Sequence, residues 1–317
     1  MSLRTKRRFI RFMSSPNNKA ILWMVLGGFD FATMAALIHA LGKECDWLIL
    51  AFLRMFLSFV FSLVLAVRAG LAPIVLDVPL LWLRSFIGCS AMVATFYALT
   101  RLPISDVAVI TETKPIWVAL LAGYLLGEAA GKRIWVSIIM GMTGVILVEH
   151  AHIGNGSIAG LAALYGALAG AVVMIILRKL RGLDPRVIVT HFAGTASLTC
   201  LVLIFALGKE FDLSFLSETK NILMLAGVGL FGTVGQLAMT KAFAMGEAPG
   251  VSAAGFVKVG FSAGYDLLVF RYAIELVTLL GITLILGSTA WLIKPSARPR
   301  KAVEEVKKEE IRGIETG

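Results

Sequence analysis

Apolar runs of roughly 20 residues follow one another along nearly the whole chain, separated by short polar breaks. With Gly, Pro and charged clusters as punctuation, this pattern predicts helices near 20–41, 47–67, 82–99, 104–127, 134–148, 158–177, 187–207, 221–243, 250–270 and 274–293. No connection shows the two-residue alternation of an amphipathic strand, so a β-barrel is excluded and helices must satisfy the backbone. The expectation is an all-α membrane protein of about ten transmembrane helices.

Composition agrees, since 58% apolar residues against 16% charged ones is far from a soluble domain. The formal charge of +10 would suggest nucleic acid as a partner of a soluble protein, but here the basic residues sit between and outside the apolar runs. They therefore read as topology signals, and the expected partner is the lipid bilayer, with no nucleic acid. Of the 30 Lys and Arg, only Lys43, Arg101, Lys209, Lys220 and Arg271 fall in loops on the outer side if the N-terminus is inside. This bias predicts a multi-pass protein of a bacterial-type inner membrane with both termini cytoplasmic. Residues 1–19 form a basic N-terminal segment; the run that follows is too long for a signal peptide and no small-residue cleavage pattern ends it. Residues 294–317 form a charged cytoplasmic tail. Cys45, Cys89 and Cys200 are unevenly spaced and indicate neither a disulfide framework nor a metal site, and no cofactor is expected.

An internal repeat organises the rest. The segment from Ala98 to Asp106 lies on that from Ala242 to Gly250 at an offset of 144, and the same offset places Lys114 on Lys258, each near the middle of its apolar span. Five helices per half is an odd number, so the halves 20–148 and 158–293 run in opposite senses, as two inverted five-helix repeats.

Phe96-Tyr97-Ala98-Leu99, Leu102 to Ala108, Pro115, Gly127-Glu128, Gly141 and Gly144 to Val148 resemble the first EamA-type repeat of the drug/metabolite transporter superfamily. Gly235, Ala242-Phe243 and the stretch Gly281 to Gly287 carry a weaker likeness in the second half. The resemblance implies ten helices in two inverted repeats, a central cavity and alternating access, in carriers of amino acids, other metabolites, sugar nucleotides or phosphates. Two departures stand out: Lys114 occupies a position where EamA proteins usually have an uncharged residue, and Arg271-Tyr272 replaces the Gly-Glu ending. Lysines on the fourth and ninth helices are similar to those of the sugar-nucleotide and phosphate translocator branches, where they contact the anionic group.

Charge inside the spans points the same way. An ionisable group at mid-bilayer costs about 2.5–3.5 kcal/mol, so Asp30, Arg54, Glu112, Lys114 and Lys258 each need a partner or a task. Two acids against three bases leave one positive charge, which an anionic substrate would balance. Lys114 and Lys258 are placed to hold a carboxylate, phosphate or phosphonate between them, with protons as a coupling ion. Two residues along a helix turn a side chain by about 200°, so Glu112 is expected to face away from Lys114 and to meet Arg54, with Asp30 as the competing partner. The acid left over balances a lysine or carries a proton. Pro115 removes one helix hydrogen bond near Thr111 and predicts a gating kink. Thr111 and Trp117 share the Lys114 face, and Phe261, Ser262 and Tyr265 the Lys258 face, with Tyr97 and Gln236 as further cavity-lining candidates. The glycine pairs Gly123/Gly127, Gly166/Gly170 and Gly260/Gly264 predict close helix contacts, within a monomer or across a homodimer.

These readings converge on a secondary transporter of a small organic anion, working by alternating access through exchange or proton coupling. The alternative is an exporter of amino acids or drug-like neutral or cationic metabolites. An intramembrane enzyme is disfavoured: no catalytic residues are identified, since the chain has neither a His-Glu-x-x-His zinc motif nor a Gly-x-Gly-Asp protease signature, and no phosphate-cradling loop for nucleotide hydrolysis. A channel is disfavoured by the lack of repeated pore-lining charge rings.

Overall fold

An apolar run in lipid can close its backbone hydrogen bonds only within itself, which makes a helix of each one. The computed structural model describes residues 16–41, 44–73, 75–99, 101–102, 104–149, 158–269 and 275–293. Their helices are α1 (Pro16–Leu41), α2 (Trp47–Arg68), α3 (Pro79–Leu99), α4 (Ile104–Thr111), α5 (Lys114–Leu125), α6 (Lys132–Glu149), α7 (Ile158–Lys179), α8 (Pro185–Ala206), α9 (Thr219–Met245), α10 (Ala248–Ala254), α11 (Val257–Leu268) and α12 (Leu276–Ile293). No strand occurs among the described residues. Most of the basic N-terminal segment, the charged tail, Lys43 and Arg271 lie outside them.

Among the described residues six helices are long and apolar enough to cross a membrane when Val107–Leu125 is taken as one run: α1, α2, that run, α7, α8 and α9. Shorter apolar stretches in α3 and α12 join them. The surface is inverted relative to a soluble protein: Tyr124 is 89% and Leu268 79% exposed, whereas Arg84, Ser62, Ser137 and Thr240 are buried. An exposed apolar exterior over a polar-containing interior suits lipid, not water. The chain is a multi-pass membrane protein.

The helix ends are set by ordinary capping chemistry. Asp46 accepts the Leu48 N–H at 2.8 Å and opens α2; Asp184 accepts the Arg186 N–H at 2.9 Å and opens α8, with Pro185 in its first turn. The Arg186 guanidinium grips both Asp184 oxygens and holds that carboxyl below its usual range. Partial burial pushes the Asp46 carboxyl up, but the Lys209 ammonium at 2.8 Å and the Leu48 N–H outweigh it and leave it below the usual range. Both helices end on a glycine in the left-handed region, Gly70 (φ 70°) and Gly208 (φ 61°), which lets Leu71 and Lys209 return N–H groups to Ala66 and Ile204.

Packing joins early helices to late ones. α1 lies against α9 and α11, α3 and α5 against α7, α2 against α8, and α6 against α12. The α6–α12 contact is backbone to backbone: a Cβ on Gly144 would stand 2.7 Å from the Gly281 carbonyl oxygen, and one on Gly281 2.7 Å from that of Gly144.

Two features differ from the expected helix list. The predicted helices 104–127 and 250–270 are each divided in two, at Glu112–Thr113 and at Gly255–Phe256. Gly127 is not part of a helix–helix contact, because α5 ends at Leu125 and Gly127 (φ 68°) makes the following turn. Gly166 does pack on Thr95 and Ala91 of α3, and Gly260 on Ile285 of α12, while Gly264 faces open space.

Candidate functional site

The divided helices supply the frame. At the first division Pro115 has no N–H to give to Thr111, and the backbone tightens to three-residue hydrogen bonds, Thr113 N–H to Ile110 and Ile116 N–H to Thr113. The Thr111 and Thr113 hydroxyls donate back to the Ala108 and Ile110 carbonyls, and the Trp117 indole donates to Thr113 Oγ1 at 3.2 Å. At the second division there is no such proline. Gly255 N–H bonds Ser252 and Lys258 N–H bonds Gly255, and a Cβ on Gly255 would lie 2.9 Å from the Ser252 oxygen. Lys114 is the first residue of α5 and Lys258 the second of α11, so both ammonium groups leave the chain beside interrupted backbone.

Across the bundle the two lysines meet one carboxylate. Lys258 Nζ forms an ion pair with Glu112 Oε1. Glu112, Lys114 and Lys258 form one electrostatic cluster, each within range of the other two charges. The Glu112 side chain is only 9% exposed, while that of Lys258, flanked by buried Val257 and Val259, is 37% exposed and borders open space. Lys114 makes no ion pair or hydrogen bond among the described residues, and its methylenes pass over Gly170 of α7. A Cβ there would stand 3.2 Å from Lys114 Cδ. On the opposite wall Gly28 of α1 admits the Lys258 backbone, its would-be Cβ 3.3 Å from Lys258 N. Lys258 is also within electrostatic range of Glu149 at the end of α6, so two cations face two carboxylates among α1, α5, α6, α7 and α11.

Two expectations about partners are corrected. Glu112 does not meet Arg54, and it is not turned away from the Lys114 charge. The 200° argument holds for a continuous helix, and the chain is interrupted at this residue. Arg54 and Asp30 instead lie along α9: Arg54 Nε is 3.6 Å from the Cβ position of Gly232, and the Asp30 Cβ 3.2 Å from that of Gly235, three residues on. Neither forms a salt bridge among the described residues, and Arg54 Nε and Asp30 Oδ2 are buried without a hydrogen-bond partner.

The remaining candidates are distributed as follows. Tyr265 Oη and Thr33 Oγ1 share a 2.6 Å hydrogen bond between α11 and α1. Phe261 meets Phe29 edge-on, with centroids 5.5 Å apart. Ser262 and Gln236 are half-buried. Tyr97 is exposed at the far end of α3, with the Arg101 guanidinium carbon 4.1 Å over its ring.

Three roles were not read from sequence. Gly28 and Gly170 make room for the lysines; Gly170 was expected only as half of a helix-contact pair with Gly166, and a glycine in an apolar run carries no pointer to the residue it faces. Arg84 falls five residues into α3, close enough to its end to count with the basic flanks; it is 1% exposed, its guanidinium carbon 3.7 Å over the Phe192 ring. Glu128 ties three segments together. It pairs with Arg178 at 2.7 Å and accepts the Ala248 N–H at 2.8 Å, while Arg178 also bonds the Ala244 carbonyl.

Comparisons with known proteins bear on this arrangement. Residues 18–149 match the EamA-like transporter family. The pseudopaline exporter CntI of Pseudomonas aeruginosa is 24% identical over 84% of this chain and 92% of its own. A riboflavin transporter of Rhizobium johnstonii is 26% identical over 87% and 91%, and an S-adenosylmethionine uptake transporter of Rickettsia bellii 23% identical over 86% and 92%. A protein of known crystal structure, 16% identical, superposes on 86% of this chain and 95% of its own with a TM-score of 0.76; at that identity the likeness concerns the fold alone.

Proposed function

We propose that this chain, whose residues 18–149 match the EamA-like transporter family, is a secondary transporter of a small organic anion, held by Lys114 and Lys258. The observation that carries the anionic choice is Lys114, which has no ion pair or hydrogen bond among the described residues and stands beside the Glu112–Lys258 pair. A cation without its own counter-ion inside a membrane protein is best balanced by a ligand of opposite sign. Relatives named for export and for uptake are similar in sequence over most of this chain, so direction is set by gradients and coupling in this reading.

In this reading the fold comprises ten spans in two inverted repeats, 20–148 and 158–293, between cytoplasmic termini. Register supports the repeat: adding 144 to the bounds of α6 gives those of α12, and α4 and α5 fall on α10 and α11 to within one residue. The packing pairs exchange under the same operation, α1–α9 with α3–α7 and α1–α11 with α5–α7, while α2–α8 and α6–α12 map onto themselves. Asp46–Lys209 joins two loops of one membrane side, and Glu128–Arg178 with Ala248 joins segments of the other.

Glu112 occupies Lys258 as an internal substitute for the anionic group of the cargo. Freeing Lys258 requires either the cargo, which gives exchange, or a proton on Glu112, which gives proton coupling. Thr111, Trp117, Phe261, Ser262, Tyr265, Gln236 and Tyr97 are lining residues in this scheme, Asp30 and Arg54 charge-balancing groups, and Pro115 the origin of the hinge. The test is a thermal-shift screen of purified protein against anionic metabolites, repeated on Lys114→Ala/Lys258→Ala. Stabilisation by one compound that vanishes in the variant supports the reading. Transport of a neutral or cationic solute that survives the double substitution contradicts it and favours an exporter of amino acids or drug-like molecules.

A further inference from the structure

Arg84 is the least expected charge in the bundle. Its side chain emerges from the second turn of α3, is 1% exposed, and meets neither water nor lipid. Guanidinium stays protonated in proteins, so the charge is permanent. Among the described residues it has no carboxylate within ion-pair distance, and its Nε and Nη1 have no hydrogen-bond partner. The Phe192 ring under the guanidinium offers a face to the cation, but its π-cloud leaves the edge N–H groups without acceptors.

A second orphan donor lies at the same α3–α8 contact. Ser85, next to Arg84, bonds His191 Nδ1 at 2.9 Å, and His191, next to Phe192, has Nε2 buried without a partner. In the tautomer in which the Ser85 hydroxyl donates to Nδ1, Nε2 carries the ring proton and is a donor like the two guanidinium nitrogens. Trp82 packs edge-on against the imidazole at 4.6 Å, which fixes the ring. Gly88 keeps the ground beside Nη1 free of a side chain: its would-be Cβ is 3.8 Å from Nη1 and 3.0 Å from Phe192. Ser85, Cys89, His191 and Phe192 are all buried.

We propose that Arg84 and His191 form an anion site between α3 and α8, distinct from the lysine cluster, that takes one small inorganic anion such as chloride. Three donors, a permanent positive charge and no carboxylate define the sign of the ligand. The burial of Arg84, Ser85, Cys89, His191 and Phe192 restricts the ligand to a small ion. An anion held there binds the two helices together and stabilises the arrangement of the bundle described above.

Purified wild-type protein is melted in chloride, bromide and gluconate at constant ionic strength, alongside Arg84→Gln and Lys114→Ala. The expected result is a saturable rise of the melting temperature with chloride and with bromide, not gluconate, lost in Arg84→Gln and kept in Lys114→Ala. A halide effect equal in wild type and Arg84→Gln, or none in wild type, overturns the proposal; an effect lost in Lys114→Ala but kept in Arg84→Gln assigns the ion to the lysine cluster instead. If Arg84→Gln does not fold, anomalous diffraction from wild-type crystals grown in bromide decides. A peak beside Arg84 supports the site, and its absence at full bromide occupancy elsewhere in the crystal overturns it.

Discussion

Glu112 and Lys258 are 146 residues apart in sequence and form an ion pair across the two halves of the chain. Breaking a buried pair from one side leaves the other charge stranded, whereas removing both is milder. With Lys258 more than a third exposed, solvent reduces the effect, and Glu112→Gln is expected to cost about 1–3 kcal/mol. Glu112→Gln/Lys258→Gln should cost less than the sum of the single changes, giving a coupling energy in a double-mutant cycle of thermal melts. The glycines opposite the lysines give a sharper contrast. Gly170→Ala meets only the flexible stem of Lys114 and is expected to leave the fold intact while weakening cargo binding. Gly28→Ala meets Val257 Cγ1 at 2.8 Å and the Lys258 backbone, and is expected to lower the melting temperature itself. The lysines were legible in sequence because a charge in an apolar run is conspicuous. That Glu112, and not Asp30, would be the acid paired with a lysine was not, because spacing describes one continuous helix and Glu112 sits where the helix stops.

Elements owe their ends to a few polar contacts, and Glu128 serves two at once. Its carboxylate satisfies the Ala248 N–H at the start of α10 and holds Arg178 at the end of α7. Glu128→Ala removes a cap and a charge partner together and is expected to cost about 1–3 kcal/mol, measured by melting in detergent. The backbone contact of α6 with α12 is less forgiving. A methyl on Gly144 or Gly281 would face a carbonyl oxygen at 2.7 Å, so either Gly→Ala change is expected to reduce folded yield more than Gly264→Ala, where the space is open. At this scale the helices themselves were readable from apolar periodicity, and the first division from Pro115. The second division has no proline, and Gly255 in a run of small residues gives little sign that the helix must yield there.

For the molecule as a whole, the ion pairs Asp46–Lys209 and Glu128–Arg178 tie segments distant in sequence, and the first responds to pH. Asp46 sits below the ordinary carboxyl value of 3.8, so its link to Lys209 contributes above that value and is lost as pH falls below it. The pair is largely solvated, so the contribution is under about 1 kcal/mol. Lys209→Gln should therefore melt slightly below wild type at pH 7, and the difference should close at acid pH. The inversion of the surface, apolar outward and charged groups inward, was foreseeable from composition; which charges share a chamber was set by how early helices pack on late ones, which no local pattern encodes. Uptake into proteoliposomes of a carboxylate and of its isosteric amide, by wild type and by Lys114→Met, tests most directly whether the lysine cluster selects cargo by charge. Wild type is expected to carry the acid and reject the amide, and Lys114→Met to lose the acid. Equal transport of both compounds, or undiminished transport of the acid by Lys114→Met, would contradict selection by charge.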